Sequence, residues 1–345
     1  MKEKICLGIE STAHTFGIGI VTSRGKVLAN SMDSFHTEKG GLIPNELRDH
    51  HEKIKEKVLN NALEKAKIKL NEIDLMSFSQ GPGIAPALLV GMKFAKDIAK
   101  KIKVPLVGVN HCVAHLEIGK LLTKSKSRKY KISGTPKIKD FRVNPVLLYA
   151  SGANTQIIAY EAEKYRIFGE TLDQGIGNFI DAFARYIGLG FPGGPKIEQL
   201  ALNGKNYIEL PYVVKGMDVS FSGILTDLKR KYDSKKYSIN DLCYSLQETA
   251  FAMLTEVSER AMAHTEKKEL LLGGGVACNK RLQEMCSIMC KERKAKFFVP
   301  ENQYLVDNGV QISWLGILMK KLATKNYDKA DIKPYERTDG LTVAW

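Results

Sequence analysis

The chain has no apolar run approaching the roughly 20 residues that a membrane helix requires. Met1 to Gly8 leads straight into a strand-like segment rather than a secretory signal. A cytoplasmic protein with no membrane partner is expected. The six cysteines (Cys6, Cys112, Cys243, Cys278, Cys286, Cys290) never show the two-residue gap of a zinc knuckle or redox pair. They read as reduced, mostly buried thiols, and Cys286 and Cys290, one helical turn apart, lack the second pair a metal site would need. A phosphate loop ending Gly-Lys-Ser/Thr is missing, as is a clean GxGxxG. Acids are scarce against bases, 38 Asp+Glu to 52 Lys+Arg, and the resulting +14 favours polyanionic partners.

At 345 residues the chain is too long for one small domain. With 44% hydrophobic and 26% charged residues it is expected to fold throughout. The basic excess is uneven: Lys120 to Arg142 holds a single acid, Asp140, and reads equally as a solvated loop or a nucleic-acid contact.

Ile5 to Ile9 and Gly17 to Val21 are apolar runs around the polar turn Glu10–Thr15, which predicts a hairpin. The design recurs at Val146 to Ala150 and Thr155 to Tyr160, around Ser151-Gly152-Ala153-Asn154. Strands are predicted at Leu75–Ser79, Pro105–Val109 and Leu270–Leu272. Helices are predicted at His50–Lys69, Pro86–Lys101, Asp241–His264 and Asn279–Arg293. Two related α/β lobes facing one cleft follow from this repetition. The expected boundaries are an N-terminal lobe over 1–144, carrying a basic insertion at about 121–143, and a C-terminal lobe over 145–345. A tail from about 326 is expected to pack back on one lobe.

The segment VNHCVAH begins where a strand gives way to a helix. Its four-residue spacing puts His111 and His115 on one face, a turn apart, as chelation requires, although such a pair can also simply pack. A hydrolytic HExxH site needs Glu after the first His, and Cys112 stands there, which speaks against a metalloprotease. Glycine clusters occur at Gly81-Pro82-Gly83, at Gly190 to Pro195 and at Gly273-Gly274-Gly275. At the last, a strand-to-helix turn lets backbone approach a phosphate and offers the helix amino end. Several such turns beside the polar hairpin tips suggest an actin-like nucleotide cleft. Asp173, Asp181, Glu198 and Asp307 are acids in apolar or glycine-rich contexts, where a carboxylate needs a partner. Asp307, in VDNGVQISW, is as good a helix cap as a ligand.

Taken together, GIESTAHTFGIGI, SQGPGIAPALLVG, NHCVAHLEIGKL, LLYASGANTQ, GETLDQGIGNFIDAFAR, GFPGGPKIE, VKGMDVSFSGI, LLLGGGVACN and VDNGVQISW resemble the archaeal and eukaryotic KEOPS catalytic subunit, sister to bacterial TsaD, over nearly the whole chain. The resemblance implies an actin-like (ASKHA) fold of two lobes around a nucleotide cleft. It also implies transfer of a threonylcarbamoyl group from threonylcarbamoyl-adenylate to N6 of the adenosine beside the tRNA anticodon, with AMP released. On that resemblance one divalent metal per chain, Fe2+ by preference or Zn2+, is held by His111, His115, Tyr149 and Asp307. Tyr149, Ala150, Ser151, Gly152 and Ala153 embrace the acyl-adenylate or ATP, and Asp181, Gly194, Glu198 and Asn279 contact the nucleotide. A carboxylate such as Glu198 suits a ribose diol, since it accepts from both hydroxyls. The implied partners are tRNA, a small atypical protein kinase and small accessory proteins of the KEOPS complex.

This chain departs from the family in two places. Where the family reads Gly-Ile-His-Pro-Arg-Glu-Ala it has Gly41-Leu42-Ile43-Pro44-Asn45-Glu46-Leu47, losing a His and an Arg, and its basic segment is longer than the usual archaeal link. No side chain stands out as a general base. The competing reading, an actin-like ATPase or small-molecule kinase, needs Mg2+ and an acidic base but no paired His. A scaffold that is inactive outside its complex is the remaining alternative.

Overall fold

A computed structural model of the protein describes residues 3–37, 41–122, 144–341 and 343. The chain divides into two compact units. Met1–Phe35, Leu42–Arg142 and Asp307–Trp345 form the first, and His36–Gly41 with Val143–Val306 the second. Residues 123–143, nearly all of the expected basic insertion, lie outside the described residues.

The first unit opens with β1 (Ile5–Glu10), β2 (Thr15–Thr22) and β3 (Val27–Ser34), followed by α1 (Pro44–Ala66). It continues with β4 (Leu75–Gly81), α2 (Ala85–Ile102), β5 (Leu106–Asn110) and α3 (His111–Leu122). The strands pair in the order β3-β2-β1-β4-β5, antiparallel through the hairpins and parallel from β1 to β5. The second unit contains β6 (Val146–Ala150), β7 (Thr155–Glu161), β8 (Lys164–Glu170), α4 (Ile176–Tyr186), α5 (Gly194–Ala201), β9 (Val214–Lys215) and β10 (Asp218–Val219). After these come α6 (Ser222–Asp233), α7 (Ile239–His264), β11 (Glu269–Gly273), α8 (Lys280–Glu292), β12 (Lys296–Phe298) and α9 (Asn302–Leu305). Its five-stranded sheet runs β8-β7-β6-β11-β12, the same order and the same antiparallel-then-parallel pattern as the first. The repetition expected from the two hairpins is therefore a repetition of whole sheets.

Helix α1 starts six residues before the expected His50. Pro44 occupies its opening turn, where a missing N–H does no harm, and Lys67 ends it in the left-handed conformation. The strands β3 and β8 were not expected: both lie at sheet edges, and sequences such as VLANSMDS carry little apolar alternation. The assignment of everything after residue 145 to one lobe needs correction, because the chain returns to the first unit at Asp307. The cause is α10 (Gly309–Leu318), whose ten residues are all buried and whose backbone lies directly on β1 and β2. A Cβ on Gly309 would sit 2.1 Å from the Gly19 nitrogen, so only glycine permits this approach. The tail then stays with the first unit: Thr324 bridges to Leu106, and the Tyr327 hydroxyl donates to the Ala99 and Val104 carbonyls. Gly309→Ala should therefore destabilise by about 3 kcal/mol or more in urea unfolding. Gly223→Ala, with open space around its Cβ, should change stability little.

Candidate metal centre

Strand β5 delivers the chain to a sharp start of α3. The Asn110 side chain accepts from the Val113 N–H at 3.1 Å, capping the helix, so the first helical residue is His111 and the turn above it holds His115. Both imidazoles are buried, with ring centroids 4.8 Å apart and planes nearly perpendicular. Their Nε2 atoms lie 3.3 and 3.4 Å from one oxygen of Asp307. The choice between cap and ligand for Asp307 resolves here: Asn308 caps α10, accepting from the Gln311 N–H at 3.1 Å, and the Asp307 carboxylate faces the histidines.

Sequence reasoning missed Glu10. Its Oε2 lies 2.8 Å from His111 Nδ1, and its Oε1 accepts from the Thr12 N–H at 2.6 Å and the Thr12 hydroxyl at 2.5 Å. A fully buried acid ending an apolar strand was the available signal. With Nδ1–H donating to Glu10, the lone pair of a neutral His111 points from Nε2 toward Asp307. Unless Nε2 also carries a proton, as in the imidazolium, that lone pair and the carboxylate oxygen need a cation between them.

When no ion is bound, the two carboxylates favour that proton. Burial opposes protonation of His111, but the Glu10 and Asp307 carboxylates outweigh it and raise its pKa well above the ordinary range. Burial lowers that of His115. Burial also disfavours ionisation of Asp307, but His111 beside it and hydrogen bonds from both histidines hold its carboxyl well below the usual value. The donor set fits a metal ion: the ligand atoms of His111, His115 and Asp307 all lie within 4.8 Å of one another. Ligands at zinc's usual distances in tetrahedral array would lie roughly 3.3 Å apart.

The remaining sequence-predicted residues belong to the second unit, and Tyr149, also named as a ligand, is buried in β6. Strand β6 runs through Tyr149 and Ala150 into the turn Ser151-Gly152-Ala153-Asn154, closed by the Ser151 N–H donating to the Asn154 carbonyl. The amino end of α4 fastens that turn, since the Gly177 and Asn178 N–H groups donate to the Ser151 and Gly152 carbonyls. On its other side sits Gly274, at φ +90°, where a Cβ would lie 2.3 Å from the Ala150 carbonyl oxygen. Asp181 accepts from the Gly193 N–H at 2.7 Å, beside Gly194 at the start of α5. Glu198 accepts from the Lys280 N–H at 2.9 Å, next to Asn279, which caps α8. Asp173 is a structural residue: its carboxylate accepts from Ser220, Phe221 and Ser222 at the start of α6.

Partial burial raises the Asp173 pKa, but these donors win and depress it strongly. A depressed carboxylate contributes stability above its unfolded pKa and loses it as pH falls toward the folded value. Asp173→Asn should therefore lose stability near neutrality and show a smaller further loss in urea midpoints below about pH 4. The thiols are inert: burial pushes Cys286 up to about 12 and Cys290 to about 11, which leaves them as packing residues.

A family model described as TsaD, tRNA N6-adenosine threonylcarbamoyltransferase, matches residues 26–314. The tRNA N6-adenosine threonylcarbamoyltransferase of Thermococcus sibiricus is 53% identical over 342 residues, covering 99% of this chain and 100% of its own. The chain belongs to this family. A probable bifunctional tRNA threonylcarbamoyladenosine biosynthesis protein of Methanocaldococcus jannaschii is 48% identical over 99% of this chain and 60% of its own length. Among solved structures, HypF of T. kodakarensis aligns over 94% of this chain and 48% of its own with a TM-score of 0.59 at 16% identity. That likeness speaks for the fold alone, which is the actin-like α/β fold of two related halves. No helix among the described residues is long and apolar enough to cross a membrane.

Proposed function

We propose that this chain transfers the threonylcarbamoyl group of threonylcarbamoyl-adenylate to N6 of the adenosine beside the tRNA anticodon and releases AMP. The observation that carries the reading is the convergence of His111, His115 and Asp307 in a member of this family. Those three residues, with Tyr149 as the fourth, would hold one divalent ion, Fe2+ or Zn2+. A bound ion supplies Lewis acidity toward the threonylcarbamoyl oxygens. Glu10 holds His111 in the tautomer whose Nε2 is free to ligate. The turn from Ala150 to Ala153, braced by α4 and Gly274, would meet the donor's phosphate with the N–H groups of Gly152 and Ala153, since that of Ser151 is taken by the Asn154 carbonyl. Glu198 would accept from the ribose hydroxyls, while Asp181, Gly194 and Asn279 complete the nucleotide contacts. In the transfer, N6 attacks the carbamoyl carbon, the bond from that carbon to the phosphate oxygen breaks, AMP departs with the electron pair, and N6 loses one proton to solvent.

The chain would act in the cytoplasm with a small atypical protein kinase and small accessory proteins of the KEOPS complex. The test is reconstitution. Metal-loaded protein with those partners, tRNA and threonylcarbamoyl-adenylate should yield modified adenosine and AMP in equal amounts by mass spectrometry. If the adenylate is consumed with the tRNA unmodified, or neither product forms, the reading fails.

A further inference from the structure

The far end of α4 and the end of α6 meet on one face of the second unit. Tyr186 and Tyr232 pack edge to face with centroids 6.0 Å apart. The Lys229 ammonium stands 4.9 Å over the Tyr186 ring and that of Lys235 4.4 Å over Tyr232. Arg230, Lys231 and Lys236 complete five cations within eight residues, and Tyr237, 43% exposed, follows directly. Only two carboxylates lie in this stretch of α6, and both are engaged. Asp227 takes Arg230 at 2.5 Å and Lys231 at 2.7 Å, and Asp233 accepts from the Tyr186 hydroxyl at 2.6 Å.

Cations in the last turn of a helix are ordinary partners of its dipole, and Arg230 and Lys231 are accounted for by that and by Asp227. The other lysines are not. Lys235 and Lys236 lie beyond the helix end, and no ion pair among the described residues engages Lys229, Lys235 or Lys236. Ring contacts hold two of these ammonium groups in place, so little side-chain freedom is lost when an anion binds them. A cluster of fixed cations with exposed tyrosine edges suits a nucleic-acid strand, with phosphates against the charges and a base or ribose against the rings.

We propose that this surface grips the backbone of the substrate tRNA; the inference rests on the transfer reading above. Helix α4 supports it. Its amino end fastens the Ser151–Asn154 turn and its last residue is Tyr186, ten residues beyond Ile176, or roughly 15 Å at the α-helical rise. A nucleic-acid strand spans that length within a few nucleotides, so the backbone flanking a base presented near the turn would reach these lysines.

The experiment compares the full chain with K229Q/R230Q/K235Q/K236Q. Glutamine keeps a polar side chain of shorter reach and removes the charge, with the ammonium–ring contacts of Lys229 and Lys235. A control, K53Q/K57Q/K93Q/K100Q, removes equal charge from exposed positions of the first unit. Binding of a tRNA transcript is measured from about 50 to 250 mM salt, alongside metal content and circular dichroism. The surface variant should bind at least about tenfold more weakly near 150 mM, with a log–log salt slope shallower by roughly one for each phosphate no longer neutralised. The control should change less than about threefold. Equal weakening in the two variants, or an unchanged surface variant, would overturn the assignment. If wild type binds tRNA and the surface variant does not, yet reconstitution gives no modified adenosine, the surface stands and the transfer reading falls.

Discussion

Replacing His111 and His115 together by alanine should reduce bound metal from about one ion per chain to a trace and lower threonylcarbamoyl transfer by a factor on the order of 10^3. The size follows from removing two of the proposed ligands and with them the several kcal/mol of charge stabilisation that a Lewis acid contributes. Both side chains are buried, so the variant also leaves a hole beside Asp307, whose carboxylate would lose two hydrogen-bonding neighbours. Unfolding midpoints measured on metal-free wild type and variant separate that structural loss from the chemical one. The readouts are metal per chain by mass spectrometry and initial rate in the reconstituted system. Retention of both would remove the metal from the scheme. Loss of metal with transfer intact would make the ion structural.

Much of this centre is legible in the sequence. A four-residue histidine spacing after a strand is visible in one dimension, because the helix converts that spacing into a shared face. The two hairpins and their polar turns are visible for the same reason: strands alternate and turns are polar. What cannot be read is what depends on chain segments far apart in sequence. Asp307 stands 192 positions from His115 and in a motif that equally describes a cap, so only the structure shows that Asn308 takes the cap and leaves Asp307 to the histidines. Helix α10 carries only two polar side chains, Gln311 and Ser313, and no polar face, so its sequence says that it is buried but not against which sheet. The edge strands β3 and β8 are half-exposed and polar and offer no periodicity to detect. Glu10 sits within a quoted motif yet draws no attention there, since a glutamate closing a strand looks like the first residue of a polar turn. Its meaning depends on His111, 101 residues away.

Glu10 yields the sharpest test of how the centre is set. In the native arrangement the carboxylate is acceptor-only, so His111 must place a proton on Nδ1, which leaves Nε2 as the atom a metal would take. Glu10→Gln preserves size and can still accept from the Thr12 N–H and hydroxyl through its amide oxygen. That orientation turns the amide N–H2 toward His111 Nδ1, which must then become the acceptor, and the proton moves to Nε2, the ligating atom. Metal affinity should fall about 10- to 100-fold while the fold is retained. Glu10→Asp keeps the acceptor character at a shorter reach and should recover part of the loss. Competition with a chelator of known affinity measures the effect, and nitrogen NMR of the metal-free protein, at a pH above the raised His111 pKa, reports the tautomer of its neutral ring. A structural role alone would lower stability in both variants without exchanging the Nδ1 and Nε2 signals. If Gln binds metal as tightly as wild type, or leaves the tautomer unchanged, Glu10 does not orient the ligand.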